Sequence, residues 1–336
     1  MTEQTREKVV LVSCMRNEGL FVLEWVAYHA LLGFQDILVF TNTCTDGSDL
    51  LLDRLQALGQ VTHVRHEPAP GKSPQINAME IAFTHPAVTG ADWMLHIDAD
   101  EFLVVTTGDG SVHALLDAVA PADVVAISWN LFGNAGLTEW QGGPVLPAFT
   151  LCQGQPTRRT VNHKSLFRPS KFQYAIDHMP KMPLVDPVIV KNTAGVEIND
   201  ASLKTARKSR YKAKFKHITF QNAVINHYAL KSDDLYMMKN DRGDGQALQH
   251  SKYFLNSMFY LRYNRNEAEN RDILALWPQV QAKMVDLAAD PEVRRLNDAC
   301  LQAYLQRRAL VLTPDQRAAW TADPNADDEV EEPDDA

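Results

Sequence analysis

Cysteine is scarce and scattered: Cys14, Cys44, Cys152 and Cys300 are the only four in 336 residues, with no C-x-x-C pair and no histidine at zinc-site spacing. A disulfide framework and a structural zinc site are therefore disfavoured, and a reducing compartment is expected. No G-x-x-x-x-G-K-[ST] stretch is present to support a P-loop. The first apolar run, from Val9, is only about five residues long and follows a polar, charged start. It falls far short of a signal h-region or a membrane span, so a soluble, cytoplasmic protein is expected.

Lysine and arginine are absent after Arg317, where Asp323, Asp327, Asp328, Glu329, Glu331, Glu332, Asp334 and Asp335 supply eight carboxylates. These account for all but one unit of the net charge of −9. Residues 321–336 read as a disordered acidic tail that aids solubility. The nearly neutral body shows no basic motif interleaved with aromatics, which disfavours nucleic acid as a partner. The opposite asymmetry occurs at Lys204, Arg207, Lys208, Arg210, Lys212, Lys214 and Lys216, seven cations without an intervening anion. A solvated face is the default reading; an anionic acceptor, the diphosphate of a donor or a peripheral membrane contact are the functional ones.

The length allows one large α/β domain with additions, or two smaller domains. Strand-like and helix-like segments alternate over the first hundred residues. Strands are predicted at 9–14, 36–41, 60–66 and 93–97, and helices at 20–32, 48–58 and 71–83. That alternation predicts a mostly parallel sheet covered by helices on both faces. Further strands are expected at 124–129 and 165–168. From 232 onward helices are expected near 233–239, 253–263, 267–287 with a break or kink before Pro278, and 291–309.

In such sheets ligands bind beyond the carboxyl ends of the strands. The polar segments 13–18, 42–46 and 98–101 each follow a predicted strand and should converge on one crevice. The most informative is Met94 through Phe102 (MLHIDADEF), an apolar run ending in three carboxylates. If the strand continues through them, Asp98 and Asp100 share a face and form a hard-oxygen site for Mn2+ or Mg2+. A lone D-x-D is more often a solvated turn.

The succession Arg16-Asn17-Glu18, Glu24-Trp25-Val26-Ala27-Tyr28-His29, Leu32-Gly33, residues 42–47, Gly71-Lys72 with Asn77, and Asp98-Ala99-Asp100-Glu101-Phe102 resembles the family 2-like glycosyltransferases with a GT-A fold. The similarity is closest to the bacterial branch related to glycosyltransferase family 92 and spans about residues 9–243. It implies a Rossmann-like sheet domain over 1–230, a helical C-terminal extension over 231–320 and the tail beyond. It also implies a nucleotide-sugar donor, expected to be a UDP-sugar, bound over Mn2+ or Mg2+. The sugar would pass, in an inverting hexosyl transfer, to a saccharide or other acceptor, with surface polysaccharide synthesis as a setting.

The resemblance assigns Asp98 and Asp100 to the metal, with His227 completing its shell, and turns Lys239 and Arg242 toward the diphosphate. Glu18 and Asp46 match acidic positions of the family, and Asn42 stands where many relatives carry aspartate. Lys72 and Asn77 fall in a donor-binding stretch. Glu101 either touches donor or acceptor, or anchors Asp100. His29 is expected to be structural packing. Lys164 and Arg168-Pro169 fit the family's K-x-x-x-R-P segment, and His178, which follows it, either lines the acceptor cleft or is structural. Glu139 and Asp177 are candidates for the catalytic base by position alone. Two other readings remain open on the same residues: a metal-dependent phosphotransferase or nucleotidyltransferase, and a GT-A-like module that binds carbohydrate or nucleotide sugar without catalysis.

Overall fold

The computed structural model describes residues 6–321 except 155, 158, 159, 161, 207, 212–216 and 244–252. The acidic tail beyond 321 and four of the seven clustered cations, Arg207, Lys212, Lys214 and Lys216, lie outside the described residues. Lys204, within them, is paired with Asp200 at 3.0 Å and Asp186 at 3.3 Å.

The strands are β1 (Val9–Met15), β2 (Asp36–Thr41), β3 (Thr62–Arg65), β4 (Trp93–His96), β5 (Glu101–Val105), β6 (Val124–Leu131), β7 (Leu151–Cys152), β8 (His163–Phe167), β9 (Phe172–Ala175), β10 (Pro180–Pro183), β11 (Val190–Asn192), β12 (Ala223–His227) and β13 (Ala268–Glu269). The main sheet runs β3-β2-β1-β4-β8-β6-β12-β5, and β11 lies beside the first half of β6. It is mostly parallel, as the alternation predicts. Two strands are reversed: β8 between β4 and β6, and β5 against β12.

Period-two patterning builds the two layers. On β1, Val9 and Leu11 enter one hydrophobic cluster while Val10 and Val12 enter the other; on β2, Ile37 and Val39 are separated from Leu38 and Phe40 in the same way. The first cluster takes in α1 (Val22–Ala30), α2 (Ser48–Ala57) and α5 (Val112–Val119), and the second takes in α3 (Pro74–Ala82) and α4 (Pro86–Thr89). A strand buried on both faces must be apolar throughout, which is why VVLVSC reads as an unbroken run. His29 is packing, as expected. It is fully buried, donates from Nδ1 to the Trp25 carbonyl at 2.8 Å and stacks on Phe102.

The remaining helices are α6 (Val145–Ala148), α7 (Asp233–Met237), α8 (Lys239–Arg242), α9 (Met258–Tyr263), α10 (Trp277–Leu287), α11 (Pro291–Val311) and α12 (Pro314–Ala319). Leu235, Val280, Leu287, Val293, Leu296 and Cys300 from these helices join the same cluster as α1. The helix expected over 267–287 is a correction. Residues 268–269 pair with β7, a 3-10 turn follows, and Pro278 lies in the first turn of α10 instead of kinking a longer helix. Proline lacks only an N–H that a first turn leaves unused, so it starts helices more readily than it interrupts them. No helix among the described residues is long and apolar enough to cross a membrane.

The loop after β6 is clamped to the C-terminal helices. A Cβ on Gly133 would fall 2.5 Å from the Arg265 carbonyl oxygen and 2.4 Å from Asn266 Oδ1. Backbone cannot step aside as a side-chain tip can, so Gly133→Ala is expected to destabilise the protein by about 1–3 kcal/mol in denaturant melts. An unchanged midpoint would mean that this junction yields freely.

Candidate functional site at the carboxyl edge of the sheet

The ends of β1, β2, β4 and β12 open on one side, and the loops leaving them wall a cavity of about 280 Å³. Cys14 and Met15 come from the end of β1, Arg16 and Glu18 from the loop after it, Asn42 from the β2 loop, and Pro74 and Gln75 from the start of α3. Asp98, Ala99 and Asp100 form the floor, Asp177 flanks it, and His227, Lys239 and Arg242 close it from the far end of the chain.

The carboxylates do not reach the cavity in the way the strand reading supposed. β4 ends at His96 and residues 98–100 are a turn, so the chain reverses and re-enters the sheet as β5 at its opposite edge. The turn, not the pleat, presents both acids to one space. The β5–β12 register sets Glu101 opposite His227, and the Asp100 carbonyl accepts the Tyr228 N–H at 2.8 Å. His227 is thereby fixed beside Asp100, its Nε2 3.5 Å from Oδ1.

The two acids have different partners. Asp100 Oδ2 accepts from Lys239 Nζ at 2.8 Å, and the same ammonium donates to the Ala229 carbonyl at 2.6 Å. Burial works to raise the Asp100 carboxyl, but Lys239 and His227 more than reverse it and hold it well below the ordinary carboxylate range. Asp98 accepts from Gln75 Nε2 at 2.9 Å and from Lys164 Nζ at 3.1 Å. Burial is again overcome there, mainly by Lys164, and the group stays ionised. Glu18 and Arg242 form an ion pair across the cavity mouth.

Of the readings open for Glu101, its position favours the anchor, with Asp98 in place of the expected Asp100. It is fully buried and off the cavity wall; its Oε2 accepts the Asp98 N–H at 2.8 Å and lies 3.3 Å from Lys164 Nζ. Burial pushes its carboxyl well above the usual range against the pull of Lys164. Lys72 is turned away and paired with Glu80, because its loop precedes α3 and only Pro74 and Gln75 reach the cavity. Asn77, one turn further along α3, meets His66 Nδ1 at 2.9 Å. Asp46 accepts the Gly19 and Ser48 N–H groups, each at 2.9 Å, and lines a neighbouring cavity.

His178 lies behind the wall, its Nδ1 3.0 Å from the His163 carbonyl and its ring against Trp129. Of the two base candidates, Asp177 is on the wall. Glu139 is not: its side chain is 56 % exposed and paired with Arg317.

Two residues outside the assigned set belong to the site. Lys164, fully buried, joins Asp98, Glu101 and the Asp177 carbonyl. Its only sequence signal is its place in the K-x-x-x-R-P segment. Gln75 carries no signal beyond following the Gly71 loop.

Two carboxylates and an imidazole are a suitable donor set for Mn2+ or Mg2+. Among the described residues no three His, Cys, Asp or Glu side chains converge on a point that would enclose an ion. The set therefore fits a cation held by one or two carboxylates and completed by substrate phosphates, the common arrangement for Mg2+.

The family model for glycosyltransferase family 92 matches residues 11–258. A family 92 protein of Ricinus communis is 26 % identical over 250 residues, covering 70 % of this chain and 37 % of its own. One of Arabidopsis thaliana is 27 % identical over 183 residues, covering 49 % and 29 %. The matches thus span only 37 % and 29 % of the length of these relatives. Among solved structures, S. aureus TarS 1-349 overlays 90 % of this chain and 82 % of that one at a TM-score of 0.35 and 10 % identity. Glucosyl-3-phosphoglycerate synthase from Mycobacterium tuberculosis, in complex with Mn2+, UDP and glucosyl-3-phosphoglycerate, overlays 37 % and 44 % at 0.25 and 16 % identity. Overlays this loose leave the functional argument to the family match and the geometry.

Proposed function

Because the chain belongs to glycosyltransferase family 92, we propose that the cavity at the sheet edge transfers a sugar from a nucleotide-sugar donor, taken to be a UDP-sugar, to a hydroxyl of a saccharide or other acceptor. The observation that carries the reading is the convergence of Asp98, Asp100, His227, Lys239 and Arg242, drawn from two distant stretches of sequence, on one wall. A phosphate-bearing ligand suits that wall. Asp98 and Asp100, one or both, would hold a divalent cation, with His227 beside Asp100, and the cation when bound would supply electrostatic stabilisation to the departing diphosphate. Lys239 and Arg242 add fixed positive charge on the same side. The unit up to 230 carries the metal-side residues, and the extension from 231 contributes the two cations.

In the inverting reaction proposed, the acceptor oxygen bonds to the anomeric carbon as the bond from that carbon to the phosphate oxygen breaks. The electron pair leaves with the nucleoside diphosphate, and the hydroxyl proton passes to Asp177. Asp177→Asn is accordingly expected to lower kcat by about 10²–10⁴-fold. The thermal stabilisation given by UDP with Mn2+ should persist in that variant. Glu139→Gln should be near wild type in both respects. If Asp177→Asn kept full activity, the base would lie elsewhere or the reaction would retain configuration.

The test of the whole reading is thermal shift with UDP-, GDP- and CMP-sugars, with and without Mn2+ or Mg2+. Stabilisation that needs the metal and slow hydrolysis of the donor to free sugar support it. Binding without hydrolysis or transfer would favour a non-catalytic module, and phosphate-transfer products without free sugar would favour a phosphotransferase.

A further inference from the structure

A second cavity of about 610 Å³ lies behind the Glu18–Arg242 pair, between the β1 loop, α7, α8 and α11. It shares Arg16, Glu18, Lys239 and Arg242 with the first cavity, but none of the proposed metal ligands faces it. Its acids are already engaged: Glu18 by Arg242, Asp241 by Arg307, and Asp46 by the Gly19 and Ser48 N–H groups. Its cations are not all engaged. Lys231 is 4 % exposed and has no hydrogen bond or ion pair among the described residues; its ammonium lies 5.0 Å from the centroid of the Phe21 ring. The Arg16 Nε is also buried without a partner.

The Asp100 and Glu18 carboxylates attract this buried ammonium without bonding it, and Lys239 and Arg242 repel it; with no direct partner beyond an aromatic face it is incompletely compensated, and an incoming anion would correct that. Phe21, Leu235, Tyr304 and Leu310 give the wall an apolar stretch, which Asn17, Thr45 and Gln306 interrupt. Surplus positive charge beside an apolar stretch, in a cavity of ligand size, selects an anion carried on an apolar body. We infer that this cavity is a second ligand site, adjoining the donor site across the shared Glu18–Arg242 pair, for a phosphate monoester with an apolar stem, its phosphate on Lys231 and its stem along α11.

Calorimetric titration with decyl phosphate tests this, with inorganic phosphate as the stemless probe and decanol as the chargeless one. Wild type should bind decyl phosphate at least about tenfold more tightly than either. Lys231→Met should weaken it about tenfold or more. Ala303→Trp, which fills the chamber from α11, should abolish it. Both variants should keep the UDP-with-Mn2+ thermal shift, and UDP with Mn2+ should not displace decyl phosphate. No binding by wild type, binding unaffected by either variant, equal affinity for inorganic phosphate, or displacement by UDP would each overturn the assignment.

Discussion

Asp100→Asn is expected to lower kcat/KM for sugar transfer by about 10²–10³-fold while leaving a folded protein. Asparagine keeps the shape but removes the negative charge, so Lys239 is left with the Ala229 carbonyl and His227 loses its acidic neighbour. Loss of charge-assisted hydrogen bonds should cost about 1.5–3 kcal/mol of stability. The sign with pH follows from the direction of the shift. Asp100 is held well below the ordinary range, so its contribution is present above the unfolded carboxylate value of about 3.9 and is lost as pH falls through the folded value. The stability gap between wild type and Asp100→Asn should therefore be flat from about pH 5 to 7 and narrow only below about pH 4. Melts followed by circular dichroism over pH 3–7 check this. The variant should also lose the extra stabilisation that Mn2+ gives in the presence of UDP. If that stabilisation is unchanged, Asp100 is not a metal ligand.

The placement of the site was legible because it depends on strand direction. Three polar segments following parallel strands must open on the same edge, and Glu18, Asn42, Asp98 and Asp100 do share a wall. What was hidden depends on chain reversal. The antiparallel entry of β5 and β8 leaves no local mark, since a buried strand is apolar whichever way it runs. With β5 unplaced, a strand running on through Asp98 and Asp100 was the natural reading, although a turn holds them. The same reversal explains why His227 could be named only by resemblance: its neighbour Asp100 is 127 positions away, and the β5–β12 register alone joins them. Lys72 and Glu139 were placed by position in a motif or loop, and position does not say which way a long charged side chain turns. Each found a counter-ion away from the cavity, exposed Glu80 and half-buried Arg317.

Lys164 is where the fold and the proposed chemistry are most tightly joined. Its ammonium is fully buried and serves two carboxylates, so Lys164→Met, which keeps the stem and removes the charge, leaves Asp98 and Glu101 facing each other without a cation. Stranding buried charge costs far more than the pair itself contributes, and a loss of about 3–5 kcal/mol is expected. In the wild type, burial would lower the Lys164 value, but Asp98 and Glu101 raise it. A base raised on folding stabilises fully below its unfolded value, about 10.4, and loses that contribution as pH rises through the folded one. Asp98, depressed, contributes above about 3.9. The plateau between these limits belongs to Lys164 and Asp98 alone; Glu101, raised by burial, costs stability as pH rises above its unfolded value of about 4.3. In Lys164→Met the carboxyls instead gain protons on folding, so its deficit should shrink as pH is lowered from 7 to 5. Glu101→Gln added to Lys164→Met removes the second buried charge and should recover at least about 1 kcal/mol, a coupling that a double-mutant cycle reads directly. A purely structural role would leave donor binding intact in the stabilised double variant. A role in setting Asp98 would instead show as a weakened UDP-with-Mn2+ shift that persists after stability is restored. If Lys164→Met melts with the wild type, the buried pair is not what holds the acidic turn in place.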